Sequence, residues 1–345
     1  MQPQLLFKLN LAALYTQGVY RLLILLLATS LSRGQIVVDT DAAKFGDDGV
    51  ALAMLMRSPL RTQVKGIITV SGDAWSLASA NYLNRISELL EIGDVPIAVG
   101  SEEPLIHTRK MAQAEGPLEF SGAFSSQRPE PRGQIRGGVE LLIREIEMNP
   151  GKVRILAIGP LTNIAIVLRL RPDLSAKIGS LTIMGGAVAV PGNTNKTAEF
   201  NFWFDPEAAS IVLRSSIPNK SLIPLDVCNT AMVTRAVFDS IADSRTPLAD
   251  LYRDDFGNRY PGFLRNPKAK SYLWDELAVA VLINPSVITK SSLKYLDVST
   301  TFGRYYGAVK SLDQKLHPEA TQVRVIERVD LERVFAMYKS ALTAR

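Results

Sequence analysis

Cysteine is all but missing from this chain. Cys228 stands alone in 345 residues, so an intramolecular disulfide is impossible and the Cys-based zinc and iron–sulfur signatures have no ligands. Histidine is nearly as scarce. His107 and His317 lie far apart, with no second His or Cys at helix-ligand spacing, which argues against a zinc site. An excess of one charge is lacking too: 39 Lys and Arg are interspersed with 34 Asp and Glu for a net charge of +5. Without a basic stripe to follow a phosphate backbone, a nucleic-acid partner is not expected. Finally, there is no apolar run of the about 20 residues that a membrane-spanning helix needs.

What is present is enough apolar residue, 47%, to bury a large core. Residues 1–34 read differently from the rest. Lys8 and Arg21 precede the run Leu22-Leu23-Ile24-Leu25-Leu26-Leu27-Ala28, and small polar residues follow up to Gly34. This is the pattern of a secretory leader, and export to the periplasm or medium is the expectation. The same pattern also fits an uncleaved anchor, or a start codon set ahead of a shorter signal.

From residue 35 the chain alternates short apolar runs with helical periodicity. Strands are predicted over Gln35–Asp39, Val64–Val70, Val95–Val99, Val153–Ile158, Leu181–Met184 and Ser221–Leu225. Helices are predicted over Val50–Met56, Leu77–Leu90, Gly138–Met148, Asn163–Leu170 and Pro206–Leu213. Such alternation predicts an α/β fold, a doubly wound and mostly parallel sheet flanked by helices, in one domain over 35–345. Two stretches interrupt it, Glu102–Gly138 and Tyr252–Tyr272, and both are expected to be long loops over a site.

Four stations carry chemistry. At the first, the strand Ile36-Val37-Val38 runs into Asp39-Thr40-Asp41, and Asp47-Asp48 follows at the start of a helix. In open α/β sheets ligands bind beyond the carboxyl ends of strands, and four carboxylates there repel one another unless a hard cation joins them. Oxygen ligands alone favour Ca²⁺ or Mg²⁺. The plainer reading, that Asp47 and Asp48 cap the helix, leaves Asp39 and Asp41 unexplained. The second station is Ile158-Gly159-Pro160-Leu161-Thr162-Asn163, where Thr162 or Asn163 is expected at the helix N-cap. Met184-Gly185-Gly186 opens the third, followed by Asn193, Glu199-Phe200-Asn201 and Asp205-Pro206. Its glycines admit a close ligand and its Asn and Glu side chains suit sugar hydroxyls, unless they only satisfy the local backbone. At the fourth, Trp274-Asp275 sets an aromatic face beside a carboxylate at a helix start.

In order and spacing these stations resemble the inosine-uridine preferring nucleoside hydrolases, from Ile36 to the C-terminus. The resemblance implies that Asp41, Asp48, the Thr162 carbonyl and Asp275 hold a Ca²⁺ that also binds the ribose diol and a water, with Asp41 as general base. It further implies that Asp47, Asn193, Glu199 and Asn201 hold the ribose hydroxyls of a nucleoside, that Met184 packs below the sugar, and that the chain forms a homo-oligomer. Asp39 takes a supporting role.

Three departures from the family pattern stand out. The loop Ala42-Ala43-Lys44-Phe45-Gly46 is longer than usual and brings Lys44 near the cation, Asp73 replaces a usual Asn, and Trp274 replaces the His of a His-Asp pair. That His serves as leaving-group acid in uridine-cleaving members, whereas an indole beside the metal Asp resembles the purine-preferring ones, so Trp274 is expected to stack on a purine. His107 is the candidate substitute acid, set against a plain surface histidine. Two rival readings use the same residues. A strand ending in Asp-x-Asp also opens Mg²⁺-dependent phosphatases of the haloacid-dehalogenase type, but that scheme leaves Glu199-Phe200-Asn201 and Trp274-Asp275 without a role. A nucleoside-binding protein that has lost turnover would account for Lys44, Asp73 and Trp274.

Overall fold

In the computed structural model the described residues are 34–42, 45–108, 110–111, 135–259 and 271–344. The segment Gln35–Arg345 forms one compact unit. The leader and Lys44 lie outside the described residues.

The central sheet has nine strands: β1 (Gln35–Thr40), β2 (Val64–Thr69), β3 (Ile97–Val99), β4 (Ile135–Arg136), β5 (Val153–Ala157), β6 (Ser180–Met184), β7 (Lys220–Ile223), β10 (Ile288–Lys294) and β13 (Val323–Val329). Two short antiparallel ribbons complete the set, β8 (Met232–Val233) with β9 (Ser271–Tyr272) and β11 (Leu296–Val298) with β12 (Val309–Ser311). The order across the sheet is β10-β13-β7-β6-β5-β1-β2-β3-β4, parallel except for β10 at one edge. The expected doubly wound, mostly parallel sheet is therefore the observed one.

Strand residues alternate between the two covered faces, as the period of two requires. Ile36 and Val38 join the core formed with the helices Asp47–Met56 and Asp275–Ile283, while Val37 joins the core formed with the helices Gly138–Met148, Thr162–Leu170 and Pro206–Leu213. From β1 the chain builds outward through β2, β3 and β4, then returns to the other flank of β1 with β5, β6 and β7. That reversal leaves a crevice beyond the carboxyl ends of β1 and β5, where open α/β sheets bind ligands.

Boundaries differ from expectation in instructive places. The strand predicted from Val95 begins at Ile97, and the one predicted over Ser221–Leu225 spans Lys220–Ile223 because Leu225 already starts the turn Leu225–Cys228. No strand was predicted after Ile283, yet β10 and β13 lie there. β10 is an exposed antiparallel edge with the sequence ITKSSLK, and such a strand has no apolar run to announce it. The long-loop expectation for 252–272 fails over Tyr252–Arg259, which is helical; 260–270 lie outside the described residues. Of Glu102–Gly138, residues 112–134 lie outside them as well, while Ile135–Arg136 pairs into the sheet.

Candidate active site

Two helices bring the acids together. Asp47–Met56 (DDGVALAMLM) and Asp275–Ile283 (DELAVAVLI) are apolar on every side and buried almost throughout, so charge is tolerable only at their ends. Each carries its acids in the first turn, where the helix dipole favours them: Asp47 and Asp48 on one, Asp275 and Glu276 on the other. The N-cap positions themselves are Gly46 and Trp274, and neither makes a side-chain capping bond. Oxygens of Asp47, Asp48 and Asp275 lie within 4.8 Å of one another. Ca²⁺ binds oxygens at 2.3–2.6 Å, so two ligands of one ion lie up to about 5 Å apart, and the trio fits such an ion.

Asp41 stands beside this trio at the end of β1. Its Oδ2 accepts from the Asp73 backbone N–H at 2.8 Å, and its carboxylate is wedged between two glycines. A Cβ on Gly72 would lie 1.9 Å from Asp41 Oδ2, and one on Gly159 would lie 2.9 Å from Oδ1. Thr40 Oγ1 donates a short bond to Asp48 Oδ1. Burial, then the Asp48 charge, raises the Asp41 carboxyl well above its usual value; burial, then Asp48, does the same to Asp275. Carboxyls that resist ionisation this strongly take up either protons or a cation.

Asp39 lies deeper. Burial pushes it up to about 8, and among the described residues neither of its oxygens has a hydrogen-bond partner. Asn163 is the nearby group that offsets this, yet its amide is committed elsewhere, receiving from Ser101 N (2.7 Å) and giving to Thr69 O (3.1 Å). Thr162 and Asn163 are not the cap expected of them. Leu161 holds the N-cap position, and the Thr162 hydroxyl donates to Asp205 Oδ2 at 2.7 Å.

The sugar-binding station is built on glycine. Gly186 has φ +76°, and a Cβ there would meet Phe202 at 2.9 Å. Its N–H donates to Glu199 Oε2 (2.7 Å), while Phe202 N and Asn201 N donate to the same carboxylate at 3.1 and 2.8 Å. Glu199 thus satisfies three backbone N–H groups of its own station. Burial pushes it up to about 7 against the pull of those three bonds. Asn201 Nδ2 donates to Ile158 O (3.2 Å) and Met184 O (3.3 Å) and lies 3.6 Å from Met184 Sδ, which gathers the second and third stations around one amide. Asn193 is exposed, and its Oδ1 receives from Phe200 N at 3.0 Å.

At the fourth station Trp274 is half-buried, and its buried indole N–H has no hydrogen-bond partner among the described residues. The ring lines a cavity of about 30 Å³ shared with Asp47, Tyr272 and Glu276, which has room for about one water. Glu276 was missed by sequence reasoning. It is buried, accepts from Trp274 N at 3.1 Å, and is raised by burial and then by Asp47. In sequence it is one more acid in a helix's first turn, which is no signal. Asp205 was noticed only as part of a motif, although an Asp-Pro pair at a helix start does mark a capping acid. His107 is no surface histidine. It is wholly buried, edge-on to Trp203 (4.9 Å) and Tyr306 (5.2 Å), with Nδ1 3.2 Å from Phe204 O.

Residues 36–336 match the model of the family described as inosine-uridine preferring nucleoside hydrolase. This chain is a nucleoside hydrolase of that family. Among similar proteins, a pyrimidine-specific ribonucleoside hydrolase RihA of Salmonella paratyphi B is 32% identical over 81% of this chain and 88% of its own length. A probable uridine nucleosidase 2 of Arabidopsis thaliana is 30% identical over 74% and 80%. Among solved structures, an inosine-guanosine nucleoside hydrolase superposes with a TM-score of 0.75 at 25% identity, over 89% of this chain and 98% of that one. Hydrolysis of ribonucleosides is the activity of this nucleoside hydrolase, and its acidic cluster of Asp47, Asp48 and Asp275 is able to bind a metal ion.

Proposed function

We propose that the enzyme cleaves the N-glycosidic bond of purine ribonucleosides to free base and ribose, with Ca²⁺ held by Asp41, Asp48, the Thr162 carbonyl and Asp275. The observation that carries this reading is the convergence on one crevice of the buried carboxylates of Asp41, Asp48 and Asp275 with the half-buried one of Asp47. When bound, the ion acidifies water and orients vicinal hydroxyls. Asp41, held rigid between Gly72 and Gly159, takes the proton from the attacking water. Asp47, Asn193, Glu199 and Asn201 bind the ribose, and Met184 packs beneath it. As the C1′–N bond breaks, positive charge grows on the sugar, and the surrounding carboxylates stabilise it.

Trp274 supports the purine preference. Offset stacking on an indole contributes about 1 kcal/mol and favours the larger base. A homo-oligomer, and export directed by residues 1–34, belong to the same reading; light scattering and cell fractionation test them.

Release of free base from inosine and uridine, measured side by side with and without chelator, is the direct test. Inosine is expected to be the better substrate and chelator to abolish turnover. A preference for uridine would overturn the purine assignment, and full activity in chelator would overturn the cation. Asp41→Asn is expected to lower kcat by about 10²–10⁴; unchanged kcat would remove it as base.

A further inference from the structure

Asp205 does more than its helix requires. It is wholly buried and joins three parts of the chain: Oδ1 accepts from Ala208 N (3.0 Å), and Oδ2 accepts from both Thr162 Oγ1 (2.7 Å) and Leu105 N (2.9 Å). The first bond caps the helix Pro206–Leu213, and Asn or Ser would cap as well. The second oxygen is what needs a carboxylate, since the amide nitrogen of an Asn could not accept in its place. Burial pushes this carboxyl up to about 6 in spite of the three bonds, so the site tolerates a real cost to keep it.

What Oδ2 connects is the metal site and a strap of irregular chain. The strap, Ser101–His107, leaves the end of β3 with one backbone bond, Ser71 N to Ser101 O (3.1 Å), and is otherwise fastened through side chains. Ser101 N donates to Asn163 Oδ1 (2.7 Å), Glu102 Oε1 receives from Leu77 N (2.9 Å), Leu105 N donates to Asp205, and His107 Nδ1 lies 3.2 Å from Phe204 O. Two of these fastenings lead to the consecutive residues Thr162 and Asn163. Thr162 is β-branched, so holding its hydroxyl fixes χ1 and with it the residue's placement at the first position of its helix.

We propose that Asp205 is a positioning residue that locks Thr162 to the Ser101–His107 strap, so that cation binding at the active site and ordering of the strap are thermodynamically linked. The proposal rests on the reading of the Thr162 carbonyl as a cation ligand. Groups that orient metal ligands from behind typically contribute 10–100-fold to metal affinity. Linkage is reciprocal: if the strap's fastening steadies the carbonyl, an ion on the carbonyl steadies the strap.

The test uses the full chain and Ca²⁺ alone, with affinity read by calorimetry and strap order by hydrogen exchange at the Leu105 amide. Thr162→Val keeps the carbonyl, the shape and the Asp205 cap on Ala208, and removes only the hydroxyl. It is expected to weaken Ca²⁺ binding at least 10-fold and to abolish the slowing of Leu105 exchange that Ca²⁺ produces in the wild type. Asp205→Asn is expected to act in the same direction, the double variant to lose no more than the worse single one, and Thr162→Ser to restore both readouts. Thr162→Val binding within twofold of the wild type, or Leu105 exchange that ignores Ca²⁺, overturns the proposal while leaving the cation site standing. A wild type that binds no Ca²⁺ overturns both.

Discussion

Asp41 owes its position to what its neighbours lack. With Gly72 and Gly159 on either side, no side chain can intrude, and the carboxylate is fixed by steric walls as well as by the Asp73 N–H. Gly72 has no positive φ, so alanine suits its backbone and the whole cost of Gly72→Ala falls on the Asp41 carboxylate, 1.9 Å from the new Cβ. Displacing a reacting group by about 1 Å costs about 10²-fold, so kcat/KM is expected to fall at least that far while the melting temperature moves little. A variant of wild-type activity would show that the carboxylate need not stay where it is. Gly159 stood in the second station and Gly72 beside Asp73, but that the two face one carboxylate was not legible, since Gly72 lies 31 positions from Asp41 along the chain.

At the scale of elements, the helices and parallel strands were legible because burial dictates their composition. DDGVALAMLM reads as a buried helix headed by acids, and that is what it is. How elements end was less visible. Lys220 on β7 is buried, and its ammonium donates to Leu213 O (2.8 Å) and Ser215 O (2.7 Å), closing the carboxyl end of the helix Pro206–Leu213 from a neighbouring strand. Burial pushes it down to about 7, so near neutral pH the charge is held at a cost that the two carbonyls and the helix dipole offset. Lys220→Met leaves both carbonyls buried without that donor. A loss of about 2 kcal/mol is expected in urea denaturation at pH 6. Because the folded pKa lies below the unfolded one, wild-type stability contains a part that rises with pH from about 7 toward 10. The variant should lack that rise, and a parallel pH dependence in the two proteins would refute the account.

For the whole molecule, the acids make stability depend on pH and on the ion together. Glu199 and Asp205 are held up at about 7 and about 6, so folding favours their protonated forms. Their contribution is complete below pH 4 and is lost as pH rises through 6 and 7. Asp41 and Asp275 are shifted in the same direction, and their protons compete with the ion. In chelator the melting temperature is therefore expected to fall between pH 5 and pH 8, and Ca²⁺ to restore more at pH 8 than at pH 5. An ion at 100 times its Kd adds about 2.7 kcal/mol, on the order of 5 °C in a chain of this size. Equal stabilisation at both pH values would count against carboxylate ligands.

The sequence by itself determined the fold class, the four stations and the family, because each rests on local rules: the period of a buried strand, acids before an apolar helix, glycine where a chain must turn tightly. The resemblance implied that Asp48 and Asp275 share an ion, and the tertiary structure supplied the reason they meet and added Asp47 to them. Asp47, Asp48 and Asp275 share one cluster because the strand order reverses at β1 and two buried helices begin at the same crevice. It also settled that Thr162 turns its hydroxyl to Asp205 and that His107 is enclosed by aromatic rings, both contacts between segments far apart in sequence. The physical reason is range: burial and helix propensity act within a few residues, whereas a crevice is a property of how strands are ordered.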